Sequence, residues 1–430
     1  MTKSKNILGR LWIWYFPFAI LYQLLMMLYI DTHLVLPLQA LVFFFGILAF
    51  VKVPYYKGFK TLITFYIVIS ILSIVFVIGT RLVEGYVNDI RVVILPMFAV
   101  FIGMFHTDNK FYKYFIYSAT ACMGIGLFLY LTRPGWYLNY LIDCYNNAWY
   151  NTGAIATEGN IMSGELGWAY RFSGIYSTPY AVSYYATFAL CILAVDIYRE
   201  ETKRLITKRW VQWACFIVLA LAAILCQNRV SMIYTAFITA VALIYGIKVH
   251  NKARHFFTGL IISVILVGAF VLIRYQNDDF FVMIKETLLG RVEEMKFSNL
   301  ENASRSNQIN VTLKSWNNVI LGEGLGSRGG VARSLGAAGI TDNGYVKLLV
   351  EQGLIGFSTL LLVFLVSANR ARKKYRLFAA ELLMIGYVLF TLLGANTLGM
   401  AYDYMIIMWY AVGRIWNKKY LQNGTKYMIA

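Results

Sequence analysis

The chain has 430 residues, of which 59% are hydrophobic and 14% charged, and it contains only 6 prolines. Its apolar share exceeds the roughly 45–50% of soluble globular domains, which excludes an ordinary soluble domain and predicts an integral membrane protein. The formal net charge is +18, but the basic residues are spread through short connections between apolar runs. A nucleic-acid-binding protein would gather them on one folded face, so we expect no nucleic-acid partner.

Apolar windows recur along the chain, each long enough to cross a hydrocarbon layer of about 30 Å, which takes roughly 17 to 25 helical residues. They lie at 11–30, 34–52, 59–80, 91–107, 112–132, 178–198, 210–226, 230–247, 255–273, 345–367, 376–395 and 399–416. We therefore expect an all-α integral membrane fold over residues 1–430, a single polytopic domain of about twelve transmembrane helices. The first window is too long for a signal-peptide core, so we expect it to be retained.

The short connections on one side of these helices hold 25 of the 39 lysine and arginine residues. Because basic residues concentrate in cytoplasmic loops, that side is predicted to be cytoplasmic, and both termini with it. Two longer segments then face the outside: 133–177, and a large extracytoplasmic loop at 274–344 between helices 9 and 10. Of the five cysteines only Cys144 lies outside the predicted spans, which gives these segments no disulfide framework.

Two arginines stand near the outer ends of predicted spans. Arg171 precedes Pro179, a residue that suits the first turn of a helix, and Gly174 with its serine and threonine neighbours predicts a tight turn around the arginine. Arg229 ends the short polar break Gln227-Asn228-Arg229. An arginine at such a position is costly to bury unless it is paired or ligand-bound. The alternative for both is an interfacial side chain that reaches the lipid phosphates.

The large loop contains two recognisable parts. Arg305 lies in a predicted short amphipathic helix that carries Ile309, Leu313 and Trp316 along one side. The run GEGLGS follows, with Glu323 and Gly326 inside it and Arg328 just after it. Such a glycine-rich backbone exposes N–H groups to an anion, and a plain flexible turn is the alternative.

The large loop ends in TDNGYVKLLVEQGLIGF, where we expect Asp342 to cap the next helix. Asn343, Lys347 and Glu351 then fall on one helical face, with Tyr345 in the first turn. Capping by Asp342 and an ion pair between Lys347 and Glu351 are the structural alternatives to functional roles. The pair Asp278 and Asp279 lacks the further oxygen ligands of a divalent metal site, so we expect neither a metal nor a cofactor.

Taken together, these motifs resemble the bacterial O-antigen ligase and Wzy-type polysaccharide polymerase superfamily. The matching features are arginine-x-x-glycine at 171–174, Arg229 near Ser231, serine-arginine at 304–305, G-x-G-x-G, and D-N-x-Y-x-x-x-L-x-E-x-G-L-I-G. The resemblance implies a multi-pass protein of the bacterial cytoplasmic membrane that transfers glycans carried on undecaprenyl diphosphate. It also implies that Arg171, Arg229 and Arg305 engage the diphosphate and that the closing motif meets the acceptor sugar.

One departure favours a polymerase over a ligase. Many ligase-type members have His-Asn where this chain has Asp342-Asn343, and none of the four histidines lies in either outer segment. No G-x-x-x-x-G-K phosphate loop is present, so the substrate must arrive already activated. We expect an inverting glycosyltransferase in which the arginines stabilise the leaving diphosphate and Asp342 is the general base, with Glu323 in reserve.

The remaining expectations concern binding and partners. Substrate-binding residues are expected at Asn343, Arg328, Glu323, Gly326, Tyr345 and Lys347. The expected partners are the lipid-linked glycan donor, the acceptor glycan and the bilayer, with a chain-length regulator and a flippase as further candidates.

Three alternatives stay open. Transfer of the glycan to another acceptor, as in a ligase, is the nearest alternative. A lipid-linked sugar flippase should show repeated halves and glycine- or proline-broken spans in corresponding positions, and the sequence indicates neither. A non-catalytic assembly partner would tolerate loss of all three arginines.

Overall fold

The computed structural model describes most of the predicted helices. The described residues are 12–30, 35–53, 56–106, 108–149, 171–176, 178–199, 204–249, 286, 303–329, 331–332, 335–336, 343–394, 398 and 402–418. Over these residues the regular structure is helical throughout, with no strand. The expected all-α class is therefore confirmed for this part of the chain.

The helices are numbered here in chain order. They are α1 (Tyr15–Met27), α2 (Val35–Lys52), α3 (Lys57–Leu72), α4 (Val83–Asp89), α5 (Leu95–Met97), α6 (Ala99–Phe105), α7 (Lys110–Thr132), α8 (Gly135–Trp149), α9 (Pro179–Asp196), α10 (Arg209–Leu225), α11 (Arg229–Val249), α12 (Ala303–Lys314), α13 (Gly344–Lys373), α14 (Tyr375–Thr391) and α15 (Tyr402–Ile415). A 3₁₀ turn, Ser73–Phe76, extends α3, and a π-helical turn, Ile90–Ile94, joins α4 to α5.

Every predicted window except 255–273 coincides with a helix or a run of helical segments in the described residues. The window at 255–273 lies outside the described residues. The amphipathic helix predicted in the large loop is present as α12, which ends before Trp316. The number of membrane crossings and their direction stay predictions.

Five helices or helical runs are long and apolar enough to cross a membrane, within the parts of the chain described above. They are Lys57–Phe76, Val83–Phe105, Lys110–Thr132, Pro179–Asp196 and Gly344–Lys373. A helix satisfies its own backbone hydrogen bonds, which is the condition for spanning a layer without water. These helices indicate a membrane-embedded protein.

Large apolar side chains are exposed along several of these helices. Val75, Phe128 and Leu365 each expose at least half of their surface, as does Phe44 on α2. A soluble protein rarely leaves so many large apolar side chains in water, whereas lipid tails solvate them. The exposed apolar surface therefore supports the same conclusion as helix length.

The chain divides into two compact units, and the first comprises Met1–Tyr22, Thr32–Phe111 and Glu301–Ala430. Within it α15 and α2 pack against α6, and α13 packs against α3 and α14. Trp409 stacks on Phe364 with ring centroids 5.3 Å apart. This unit holds the glycine-rich turn and the closing motif of the large loop.

The second unit comprises Gln23–Asp31 and Tyr112–Leu300. Its central helix α9 is buried almost throughout and packs against α10 and α11. As predicted, Pro179 occupies the first turn of α9, and Thr178 caps the helix by accepting from the N–H of Ala181. This unit holds Arg171 and Arg229.

Candidate functional site

The closing motif begins α13, and its cap differs from the prediction by one residue. The side chain of Asn343 accepts a hydrogen bond from the N–H of Val346 at 3.1 Å, so Asn343 and not Asp342 is the N-cap. The Asn343 amide also donates to the carbonyl of Leu393 at 3.1 Å. Asp342 lies outside the described residues, and its predicted role as general base stays a prediction.

Helix α13 is interrupted at Gly353, whose φ of 62° and ψ of −174° are not helical. The interruption lets the glycine-rich turn bond to the helix backbone: the N–H of Glu323 donates to the carbonyl of Val350 at 3.0 Å, and that of Gly324 to the carbonyl of Glu351 at 2.9 Å. On the other side of the break, the N–H of Leu354 donates to the carbonyl of Val319 at 2.9 Å. Two motifs that are separate in the sequence thus form one structure, which we call the turn–helix unit (residues 318–329 and 343–355).

These hydrogen bonds affect the prediction that N–H groups of the glycine-rich backbone bind an anion. The N–H groups of Glu323 and Gly324 donate to carbonyls of α13, so in this conformation they are not directed at an anion. Anion binding by this turn stays a prediction, as does the alternative of a plain turn, and the turn is bonded to the helix on both sides of Gly353.

Gly326 fixes the turn against α4. Its φ is +80°, and a Cβ atom at this position would collide with the carbonyl oxygen of Gly85. The next contact is made by Leu325, whose N–H donates to the hydroxyl of Ser73 at 3.2 Å. Gly326, predicted to bind substrate, is therefore placed where two backbones meet, and only glycine suits both its conformation and the available space.

Arg328 and Glu323, both predicted to bind substrate, are paired with each other. The guanidinium donates to Glu323 Oε2 from Nε at 2.8 Å and from Nη2 at 2.5 Å. It also donates to the carbonyl of Ser315. The backbone N–H of Arg328 donates to Glu351 Oε1 at 2.8 Å. This ion pair stabilises the turn–helix unit. Glu323 is a weaker candidate for the general base than Asp342, because its carboxylate is paired with Arg328.

Lys347 lies between two carboxylates in the same unit. Its Nζ is 2.6 Å from Asp89 Oδ2 and 3.6 Å from Glu351 Oε1. The predicted ion pair with Glu351 is present but is the longer of the two contacts. Asp89, Lys347 and Glu351 are each at most 3% exposed, so their formal charges sum to −1 in a buried place.

The sequence did not reveal Asp89 as the closest partner of Lys347. Asp89 ends α4, immediately before the π-helical turn Ile90–Ile94. Single π-helical turns are frequent at functional sites, but the turn has no sequence signature. An acidic residue at the edge of an apolar window was the one available signal.

Tyr345, the remaining predicted substrate-binding residue of this motif, directs its hydroxyl to a neighbouring helix. The hydroxyl donates to the carbonyl of Leu389 in α14 at 2.6 Å, and the ring meets Phe357 edge to face. Its side chain is half-buried. In this arrangement the phenol joins α13 to α14.

In the second unit, Arg171 begins the tight turn predicted from Gly174, whose φ is +59°. The N–H of Phe172 donates to the carbonyl of Leu225, the last residue of α10, at 3.0 Å. From α8, Tyr137 donates to the carbonyl of Gly174 at 2.8 Å and Tyr140 to that of Ile175 at 3.1 Å. Burial raises the pKa of both phenols above the usual range.

The hydrogen bond from Phe172 brings Arg171 to the break between α10 and α11, where Arg229 stands. Arg229 is the first residue of α11 and is half-buried, as is Arg171. The preceding Asn228 bonds on two sides, accepting from the N–H of Val230 at 3.1 Å and donating to the hydroxyl of Ser183 at 3.2 Å. We call the turn 171–176 and the break 226–229 together the arginine site.

Gln227 lies inside this break and was not singled out by the sequence. Its φ is +53° and it is 1% exposed. Neither Nε2 nor Oε1 of its side chain has a hydrogen-bond partner, in the part of the chain described here. Each buried polar group left without a partner costs about 1–3 kcal/mol.

Arg305 lies on α12, but its side chain is outside the described residues. It belongs to the first unit with Arg328 and Lys347, while Arg171 and Arg229 belong to the second. A common site for Arg171, Arg229 and Arg305 therefore stays a prediction. No cluster of three or more His, Cys, Asp or Glu residues suited to a metal occurs among the described positions; Asp278 and Asp279 lie outside them.

Comparison of the chain with models of known protein families gives no match, and comparison with curated protein sequences gives none either. The site and the helices together define the class of protein: a membrane-embedded chain, helical over the residues described, with the arginine site in one unit and the turn–helix unit in the other.

Proposed function

We propose that the chain polymerises oligosaccharide repeat units carried on undecaprenyl diphosphate, at the outer face of the bacterial cytoplasmic membrane. The product would be a capsule, an O-antigen or an exopolysaccharide. In this proposal the chain crosses the membrane about twelve times, with both termini in the cytoplasm, as the distribution of basic residues favours.

One observation carries the proposal: the closing motif, the most specific part of the family resemblance, is bonded to the glycine-rich turn in one turn–helix unit. Helix propensity does not require these two segments to meet, because they lie far apart in the sequence. The backbone hydrogen bond from Glu323 to Val350 nevertheless joins them. A resemblance by chance would leave the two motifs structurally unrelated. Their union supports a shared role for the two motifs.

The reaction we propose is a single displacement at the anomeric carbon of the donor sugar. An acceptor hydroxyl forms the new C–O bond while its proton passes to Asp342, and the bond to the diphosphate breaks with the electron pair leaving on undecaprenyl diphosphate. Inversion follows from attack opposite the leaving group. Arg171, Arg229 and Arg305 would stabilise the negative charge that develops on the diphosphate, because a guanidinium binds two phosphate oxygens at once.

The arginine site supports this assignment by its position. Arg171 and Arg229 are both half-buried, and both lie near the C-terminal end of α10, the end that the proposed topology places outside. Partial burial strengthens an arginine–phosphate interaction, since fewer water molecules screen it. Loss of one preorganised donor of this kind commonly costs about 10²–10³ in rate.

The test replaces each arginine by lysine, which keeps the charge and removes the bidentate fork. We expect Arg171→Lys and Arg229→Lys to abolish long polymer while the protein stays at its normal level in the membrane. Arg372→Lys is the matched control, since Arg372 is exposed near the end of α13 in a predicted cytoplasmic connection. Normal chain length in both outer-site variants would remove the diphosphate assignment.

A lipid-linked sugar flippase is the second candidate, because a specific observation favours it. Transporters use discontinuous helices at their binding sites, and α13 is interrupted at Gly353, a break that the sequence did not indicate. Here, however, the carbonyls of Val350 and Glu351 at the break are bonded by the glycine-rich turn, which leaves them less suited to a transported ligand. A flippase would change the sidedness of a lipid-linked sugar without lengthening it.

A further inference from the structure

Gln227, in the break between α10 and α11, has an unfavourable backbone conformation and unfavourable surroundings when no ligand is bound. Helix α10 ends at Leu225 with Cys226 as its C-cap, so Gln227 occupies the next position, where a left-handed residue is common. Glycine is the usual residue there because a side chain is strained at positive φ. Gln227 has a φ of +53° and a side chain of full length.

The side chain of Gln227 adds a second unfavourable feature. It is buried, and neither its amide nitrogen nor its carbonyl oxygen has a hydrogen-bond partner among the residues that the structure describes. Glycine at this position would remove the strain and the buried polar atoms together. A residue that is unfavourable in both respects is typical of positions that contact a ligand.

The neighbours of Gln227 indicate the charge of that ligand. Arg229 is two residues further along the chain, and Phe172 bonds to the carbonyl of Leu225, two residues before Gln227. Arg171 directly precedes Phe172 and therefore lies on the segment that is bonded to the end of α10. Two arginines on the two backbone segments that meet at this break, together with one buried carboxamide, suit an anion with oxygen acceptors.

An anion alone would satisfy only half of the carboxamide. Phosphate oxygens accept hydrogen bonds from Nε2, but Oε1 is an acceptor and needs a donor such as a hydroxyl group. A ligand that offers both groups side by side is a sugar bonded to a diphosphate. The chemistry of Gln227 therefore fits the junction of sugar and diphosphate better than a bare phosphate.

We propose that Gln227 is a ligand-binding residue of the arginine site, donating from Nε2 to a diphosphate oxygen and accepting at Oε1 from a hydroxyl of the sugar attached to it. This inference rests on the proposed function. It adds a residue that distinguishes a sugar-bearing lipid diphosphate from the bare lipid that leaves after transfer. Release of the product would then be favoured by loss of the hydroxyl donor.

The test uses the whole protein in lipid nanodiscs, with undecaprenyl diphosphate and undecaprenyl-diphosphate glucose as probes. We expect the wild type to bind the sugar-bearing probe more tightly. Gln227→Gly should weaken binding of that probe by about tenfold and reduce the preference between the two probes.

Two further variants separate a ligand-binding role from a structural one. Gln227→Glu keeps the shape of the side chain but replaces the N–H donor by a negative charge, so it should weaken binding of both probes. Arg133→Gly is the matched control, since Arg133 also has a positive φ, of 46°, just after a helix end in the same unit. It should leave the preference between the probes unchanged.

The outcomes are distinguishable. If the wild type binds neither probe, the proposed function fails and this inference with it. If the wild type prefers the sugar-bearing probe and Gln227→Gly keeps that preference, this inference alone is overturned.

Discussion

The buried charges around Lys347 allow a prediction whose size can be worked out from the structure. Lys347→Met removes the ammonium that lies between Asp89 and Glu351 and preserves most of the side-chain volume. Two carboxylates, each at most 3% exposed, are then left without their cation, and the formal charge of the group changes from −1 to −2. Removing one partner of a buried ion pair costs about 3–5 kcal/mol, so we expect a loss of that size.

Asp89→Asn should be much milder. The variant leaves Lys347 with Glu351 at 3.6 Å, and the formal charges of the group then sum to zero. The carbonyl oxygen of the introduced carboxamide can still accept a hydrogen bond from the ammonium, so the expected loss is about 1–2 kcal/mol. The two substitutions should also be non-additive, because the double variant leaves one buried carboxylate where Lys347→Met leaves two.

The assay heats each variant in mild detergent and measures the fraction that stays monodisperse by size-exclusion chromatography. The expected order of thermal stability is wild type, Asp89→Asn, double variant and then Lys347→Met. Lys314→Met is the control, since Lys314 is an exposed lysine on α12 in the same unit and should change stability by less than about 0.5 kcal/mol. Equal losses for Asp89→Asn and Lys347→Met, or none for Lys347→Met, would refute the reasoning.

Three further outcomes are expected. Gly326→Ala should destabilise the turn–helix unit by more than about 2 kcal/mol and stop polymerisation, because its Cβ would collide with the backbone of Gly85. Gly336 has a similar φ of +86°, but a Cβ atom there would meet no atom of the described residues within 4 Å. Thermal unfolding of Gly326→Ala and Gly336→Ala therefore separates collision from strain, and equal losses would exclude the collision. Asp342→Asn should lower turnover about 10²–10⁴-fold with lipid-donor binding unchanged in a filter assay; retained turnover would place the base elsewhere. Added chelator should leave turnover of the purified enzyme unchanged, and a metal requirement would contradict the scheme.

The helices were the most predictable part of the fold. A segment surrounded by lipid must be apolar and must form all its backbone hydrogen bonds within itself. Both conditions depend on local composition and can be recognised from it. Helix α13 was predicted on this basis, and its interruption was not. The helix is interrupted at Gly353 because the glycine-rich turn bonds to both sides of that residue, which is a tertiary contact.

The site was predictable only where its contacts are local. The pair Lys347 and Glu351 follows from helical spacing, and it is present at 3.6 Å. The shorter contact to Asp89 joins residues 258 positions apart, and no spacing rule predicts such a partner. Gln227 was missed for a related reason, since its significance lies in burial and in a left-handed backbone, which composition does not reveal.

The most direct test of the proposed function is the product made by the purified protein. The wild type is reconstituted in liposomes with a defined undecaprenyl-diphosphate-linked repeat unit, and the glycans are separated by size. The account predicts a ladder of longer lipid-linked chains together with free undecaprenyl diphosphate, and no ladder from Arg171→Lys. A repeat unit that stays at its original length while crossing the bilayer would contradict the account and identify a transporter instead.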